Sequence, residues 1–289
     1  MVSTMTAIPR ARPASSLGRT MLNKVPEVTL FFWVIKIMCT TVGETAADYL
    51  NVNLNFGLTN TTYFTGALLA VLLVAQFRLK KYVPGVYWSV VVVVSVFGTL
   101  ITDNMSDRYQ IPLTTSTAVF AGILALVFLT WYLVERTLSI HSIVTSRREA
   151  FYWLAILFTF ALGTAAGDLV AEKYTLGYAV SIGIFAGAIA LVVFLHYVVK
   201  LNPVLTFWLA YILTRPLGAS IGDEMSQNSH KYGGLNLGTT GTSFIFLACI
   251  LVLVVFLSIT KRDQTPPEVI DAEEHRGSRF TGEAASEPA

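Results

Sequence analysis

Eight apolar stretches divide the chain, at roughly 28–50, 61–77, 84–103, 113–134, 150–171, 176–198, 203–223 and 239–260. Most reach the ~20 residues that a membrane-spanning helix needs. The odd-numbered stretches also carry polar residues at every fourth position. The first has Lys36, Thr40, Glu44 and Asp48; the third has Ser95, Thr99, Asp103 and Asp107. The fifth has Thr164, Asp168 and Glu172; the seventh has Arg215, Asp223 and Gln227, with Ala219 interrupting. Residues i and i+4 share a helix face. Each odd helix therefore has one polar stripe, which in hydrocarbon must face a bundle interior or a water-filled cavity.

The stripes belong to a repeat. Trp, nine residues, Gly, four residues, Asp occurs at Trp33–Gly43–Asp48, Trp88–Gly98–Asp103, Trp153–Gly163–Asp168 and Trp208–Gly218–Asp223, each Trp preceded by an aromatic. The Asp residues recur at intervals of 55 (48 to 103), 65 (103 to 168) and 55 (168 to 223). This predicts an all-α integral membrane protein of eight transmembrane helices, arranged as four helical-hairpin repeats in two pseudo-symmetric halves. An even number of helices per repeat gives every copy the same orientation, so the repeats are parallel. The expected divisions are a basic leader at 1–24, a first half at 25–140, a second half at 141–262 and an acidic, Pro-containing tail at 263–289 that reads as disordered.

Composition agrees with a membrane protein: 54% of residues are hydrophobic, 13% are charged, and mean hydropathy is +0.62. A soluble domain carries about 25% charged residues. Cys39 and Cys249 lie in apolar runs and have no metal-type spacing. The leader has no apolar core of a cleavable signal. One membrane side receives the leader, Arg78, Lys80, Lys81, Arg136, Arg147, Arg148, Lys200, Lys261 and Arg262; the other receives Arg108, Lys173 and Lys231. The positive-inside rule then places both termini in the cytoplasm. Each Trp is expected at the cytoplasmic interface. Each Asp, fifteen residues on, lies about 22 Å deeper at ~1.5 Å per residue.

A carboxylate near a helix C-terminus opposes the macrodipole, so capping explains the Asp residues poorly. Buried anions need a partner. Lys36 and Arg215 could serve two of them, and a metal or protons the rest. Asp48, Asp103, Asp168 and Asp223 are the expected central ligands, with Glu44, Asp107, Glu172 and Glu224 as supporting or proton-carrying carboxylates. His141, His196, His230 and His275 lie outside the stripes, which favours Mg, Ca or Mn over zinc or copper. Met105 and Met225 follow two motif Asp residues by two positions; as thioethers they tilt the choice to manganese, and as packing residues they say nothing. The motif Gly residues suit close helix contact, which would gather the four Asp. The Thr residues opening the even helices could line an entrance or cap helices.

Gly167–Asp168 and Gly222–Asp223 suggest an intramembrane aspartyl protease, but four equivalent Asp and no Pro-Ala-Leu element speak against it. No P-loop, His-Glu-x-x-His or Gly-x-Ser-x-Gly occurs. The chain therefore reads as a non-enzymatic secondary transporter that exports a divalent cation, manganese first, by proton exchange. The ion is substrate, and no cofactor is expected. Membrane lipid is the other partner, nucleic acid is not one, and a homo-oligomer is left open. A cation channel and a membrane regulator or scaffold are the alternatives.

The runs 23–29 (Asn-Lys-Val-Pro-Glu-Val-Thr), 43–48 (Gly-Glu-Thr-Ala-Ala-Asp), 137–143 (Thr-Leu-Ser-Ile-His-Ser-Ile), 163–168 (Gly-Thr-Ala-Ala-Gly-Asp) and 214–220 (Thr-Arg-Pro-Leu-Gly-Ala-Ser) carry a resemblance. Over about residues 21–262 the chain resembles a bacterial multi-pass family of uncharacterised membrane-anchored proteins, some given a suggested role in regulating amylopullulanase. The resemblance implies a bacterial inner-membrane protein.

Overall fold

A computed structural model describes residues 23–227 and 234–263. The basic leader before residue 23, His230, Lys231 and the tail with His275 lie outside the described residues. Eight helices among the described residues are long and apolar enough to cross a membrane. They are α1 (Leu30–Asp48), α2 (Leu58–Arg78), α3 (Pro84–Asp103), α4 (Leu113–Glu135), α5 (Ser146–Asp168), α6 (Tyr178–Tyr197), α7 (Pro203–Ser226) and α8 (Gly238–Thr260). The protein is a multi-pass membrane protein.

Local chemistry sets where the odd helices begin. Thr29 caps α1 by accepting from Phe32 N, and Thr145 caps α5 by accepting from Arg148 N. Asn202 caps α7, where Pro203 occupies the first turn, and Pro84 opens α3 in the same way. A fixed φ and a missing N–H suit proline to that position. Three odd helices then run past their motif Asp as a π-helical turn: Tyr49–Asn53, Asn104–Arg108 and Leu169–Lys173. In the fourth repeat, α7 stays α-helical to Ser226 despite the internal Pro216.

The odd helices form a closed ring, α1 to α3 to α5 to α7 and back to α1. The motif glycines make the ring possible. A Cβ on Gly43 would lie 1.8 Å from Ser95 Oγ, and one on Gly98 2.6 Å from Phe160 Cβ. One on Gly163 would lie 2.3 Å from Arg215 Cγ, and one on Gly218 1.7 Å from Thr40 Oγ1. Each Gly thus faces the residue three positions before the Gly of the next repeat, and the fourth repeat faces the first. Small residues allow such approach where lipid offers no hydrophobic drive between helices.

The even helices form an outer layer with a rule of its own. Each packs mainly against the odd helix of the following repeat: α2 on α3, α4 on α5, α6 on α7 and α8 on α1. Hydroxyl residues that open the even helices help to seat them. Thr62 accepts from Asn104 Nδ2 at 2.8 Å and Thr114 from Lys173 Nζ at 3.2 Å, while Thr239 donates to Asn53 at 3.2 Å. No side chain caps these three helices, so capping, one of the two roles the sequence suggested, is not what they do. The outer helices leave much of their apolar surface uncovered, Leu126, Phe194, Phe244 and Leu251 among them. That surface suits lipid.

The motif aromatics depart from expectation. Instead of facing outward as interface anchors, Trp88, Trp153 and Trp208 are buried inside the bundle, together with Phe32, Tyr87, Tyr152 and Tyr211. Tyr87 and Trp153 lie with ring centroids 5.4 Å apart, and Trp208 and Tyr211 5.6 Å apart. The ring geometry explains this. Four helices converging on one axis at the same height turn their equivalent aromatics towards each other, and the rings close the basic end of the axis.

Candidate functional site

Above the aromatic layer, equivalent positions of the four repeats stack along the axis. The residue after each motif Gly is Glu44, Thr99, Thr164 or Ala219, and five after it comes the Asp. Arg215 rises from one turn below. It is fully buried, and its Nη2 donates to Glu44 Oε2 at 2.9 Å, Thr99 Oγ1 at 2.5 Å and Thr164 Oγ1 at 2.6 Å. One guanidinium nitrogen thus ties α7 to α1, α3 and α5. Ala219 completes the layer with no polar atom, where the guanidinium stem passes.

Carboxylate oxygens of Glu44, Asp168 and Asp223 all lie within 4.8 Å of one another. They come from α1, α5 and α7. Glu44 and Asp223 are buried, and Asp168 is half-buried. The electrostatic neighbours of Asp103 are Glu44, Asp168, Asp48 and Asp107, so Asp103 and Asp48 face the same interior without joining the tight group. Asp48 Oδ2 accepts from Gln227 Nε2 at 3.3 Å.

The remaining candidates stand farther out. Glu172 accepts from the Tyr178 hydroxyl at 3.1 Å, and Asp107 is exposed at the mouth. Both lie one turn beyond their Asp. Glu224 is not brought to the group. It follows Asp223 directly, so it projects about 100° around the helix from it. Its carbonyl accepts from Leu235 N, and its Oε2 is buried without a hydrogen-bond partner. Met105 packs against the apolar cluster of Phe120, Ala161 and Ala165, which is the packing role.

Sequence reasoning paired a charge with Arg215 but left Glu44 in a supporting role. The structure puts Glu44 at the centre, because Arg215 and the two Thr residues meet there. The signal was present: Glu44, Thr99 and Thr164 occupy one position of the repeat.

The basic end is strapped shut. Asn23, Lys24 and Val25 are buried across it. Lys24 Nζ donates to Glu149 Oε2 at 2.6 Å and to the Phe77 carbonyl at 3.2 Å, and Gln76 donates to the other Glu149 oxygen at 3.1 Å. Glu27 N donates to the Asp263 carbonyl at 2.7 Å. Beside this strap, a cavity of about 480 Å³ is lined by Glu27, Trp33, His141, His196 and Phe207 among others. His141 Nε2 and Glu27 Oε1 pair there at 3.2 Å. None of the clustered carboxylates reaches this cavity.

A family model described as a repeat of unknown function, DUF347, matches the chain four times, at residues 31–82, 86–137, 151–202 and 206–263. The four matches coincide with the four Trp–Gly–Asp copies and bear out the resemblance to an uncharacterised family. No curated protein and no solved structure matches the chain.

Proposed function

For this chain, which belongs to the DUF347 repeat family, we propose secondary transport of a hard divalent cation. The observation that carries the reading is the convergence of Glu44, Asp168 and Asp223 within 4.8 Å inside a membrane bundle. Three carboxylates against one guanidinium leave negative charge uncompensated in a medium that stabilises ions poorly. An oxygen-only donor set suits Mg, Ca or Mn. With Met105 engaged in packing, the oxygen ligands select a hard cation without choosing among these three, and manganese is the first ion to test.

In this reading Glu44, Asp168 and Asp223 hold the ion, with Asp48 and Asp103 as approach ligands and Asp107 and Glu172 at the mouth. Arg215 occupies Glu44 when the ion is gone. The chain has no ATP-binding motif, so an ion gradient drives the cycle, and exchange with protons suits export. Lysine and arginine placement supports cytoplasmic termini, and the resemblance to a bacterial multi-pass family implies the inner membrane. The aromatic layer and the buried strap close the basic end while the acidic end stays partly exposed, which favours a carrier over an open channel.

The test is uptake of Mn, Mg, Ca, Co, Zn and Fe into proteoliposomes under an imposed pH gradient. Selective flux is expected, falling at least tenfold in Asp168→Asn and Asp223→Asn proteins that unfold at temperatures near the wild type's. Absence of flux for every metal from well-folded protein would overturn the reading. Single-channel current would replace the carrier with a channel.

A further inference from the structure

The cavity at the basic end has a counterpart in the fold that is filled. On α4, Phe128 and Trp131 pack against Trp208, with ring centroids 4.9 Å and 5.8 Å away. The second and third repeats are offset by 65 residues (Asp103 to Asp168), so the same two places on α6 hold Val193 and His196. Both line the cavity, and the motif Trp that lines it with them is Trp33. Two smaller side chains stand where the second repeat has large rings, and the open volume of about 480 Å³ lies there. Such a volume, lined mainly by apolar groups with a few polar ones, suits a bound molecule.

Shape and chemistry say which kind. Val193 and Tyr197, two of the lining residues, are 46% and 73% exposed. They belong to a membrane-spanning helix, so the opening faces lipid. Along α7 the lining runs from Pro203 to Thr214, eleven positions, or about 16 Å at ~1.5 Å each. That is about half of a ~30 Å hydrocarbon core, the reach of a chain from one leaflet. Polar side chains gather at the basic end of the slot, and Ile37, Ile189 and Ala210 line its deeper part. Thr214, also deep, already donates to the Tyr211 carbonyl at 2.8 Å.

Among the lining residues Glu27 is the one carboxylate, and none is Lys or Arg. Trp33 and Phe207 line the same cavity with centroids 5.6 Å apart. A carboxylate and aromatic faces together suit an ammonium group. His141 Nε2 meets Glu27 Oε1 at 3.2 Å, and His196 Nδ1 meets Thr206 Oγ1 at 2.9 Å. The other ring nitrogen of each imidazole is left for a phosphate.

We propose that this cavity binds one membrane phospholipid with a primary-ammonium head, its acyl chain in the slot beside α6 and its ammonium at Glu27. The proposal does not depend on the transport reading, because none of the clustered carboxylates reaches the cavity. It also opposes the general attraction of basic flanks for anionic lipid, so headgroup preference separates this site from the surface around it.

The experiment is native mass spectrometry of the full chain in detergent, titrated with phosphatidylethanolamine or phosphatidylglycerol of the same acyl chains, with thermal unfolding alongside. The first lipid bound should favour ethanolamine at least fivefold. Glu27→Gln should lower that preference below twofold while binding persists. Val193→Phe/His196→Trp, which installs the second repeat's side chains, should weaken binding of the first ethanolamine lipid at least tenfold without lowering the unfolding temperature. Val193→Phe alone, at the exposed rim, should weaken it at least threefold and tests the slot even where the double variant disturbs folding. Wild-type affinity in both filled variants would overturn the site. Equal binding of the two lipids to the wild type, or a preference unchanged in Glu27→Gln, would overturn the ammonium assignment and the proposal with it.

Discussion

Gly218 of α7 lies so close to Thr40 of α1 that a Cβ on it would come within 1.7 Å of the Thr40 hydroxyl. That hydroxyl donates to the Ile37 carbonyl at 2.6 Å and has the Thr214 carbonyl at 3.4 Å. It cannot turn away without losing these acceptors. Gly218→Ala should destabilise the protein by about 1–3 kcal/mol through overpacking. Gly187→Ala on α6, where a Cβ meets nothing within 4 Å, should leave the unfolding temperature nearly unchanged. Thermal unfolding in detergent compares the two.

Arg215→Met strands Glu44 in the interior. Breaking a buried ion pair from one side costs about 3–5 kcal/mol. The loss should shrink in Glu44→Gln/Arg215→Met, where no charge is left bare. The proposed transport makes Arg215 a competitor of the cation for Glu44, and on that reading manganese should raise the unfolding temperature of Arg215→Met more than that of the wild type.

Lys24 and Glu149 pair at 2.6 Å with both side chains at most 1% exposed. Lys24→Met should cost about 3–5 kcal/mol, and adding Glu149→Gln should recover most of it. If the strap closes the basic end, Lys24→Met should also become more accessible there. Labelling of a cysteine placed at Gln76 by a membrane-impermeant maleimide measures this.

Asp263 makes the strap sensitive to pH. Burial pushes its carboxyl above the usual range, and the Tyr82 hydrogen bond only partly offsets this. Tyr82 is held above its ordinary value by burial and then by Asp263, and it stays a donor. An acid whose pKa is raised on folding favours the folded form while protonated. The docking of residue 263 is therefore strongest below the unfolded value of about 3.9 and weakens as pH rises through the raised one. Amide protection at Glu27, whose N–H bonds the Asp263 carbonyl, should fall on alkalinisation. Asp263→Asn should flatten the dependence.

Much of this was legible in the chain. The apolar stretches predicted eight helices, the four-residue polar period their polar faces and the Trp–Gly–Asp spacing the four repeats, because a transmembrane helix must satisfy its own backbone and so leaves its side-chain pattern readable. The glycines pointed to a gathering of all four Asp, whereas the close group takes only Asp168 and Asp223 of them, with Glu44. The central place of Glu44 was not legible, since it depends on which way Arg215 climbs from a neighbouring helix. The inward turn of Trp88, Trp153 and Trp208 was also hidden. An aromatic at a helix end reads the same whether the helix stands in lipid or in a closed ring. Nor does local sequence say that α2 rests on α3, because hydropathy records that a face is apolar and not what covers it.

That displaced packing of the even helices has a consequence for how the chain can be cut. Every even helix makes its main contact outside its own repeat, and α8, which also touches α7, supplies to α1 what α2 supplies to α3. The ring has four equivalent seams and no structural beginning. With Glu27 already bonded to Asp263, a chain joined at those ends and opened between α4 and α5 should reassemble the same molecule. A single repeat made alone should find its partner only in other copies of itself.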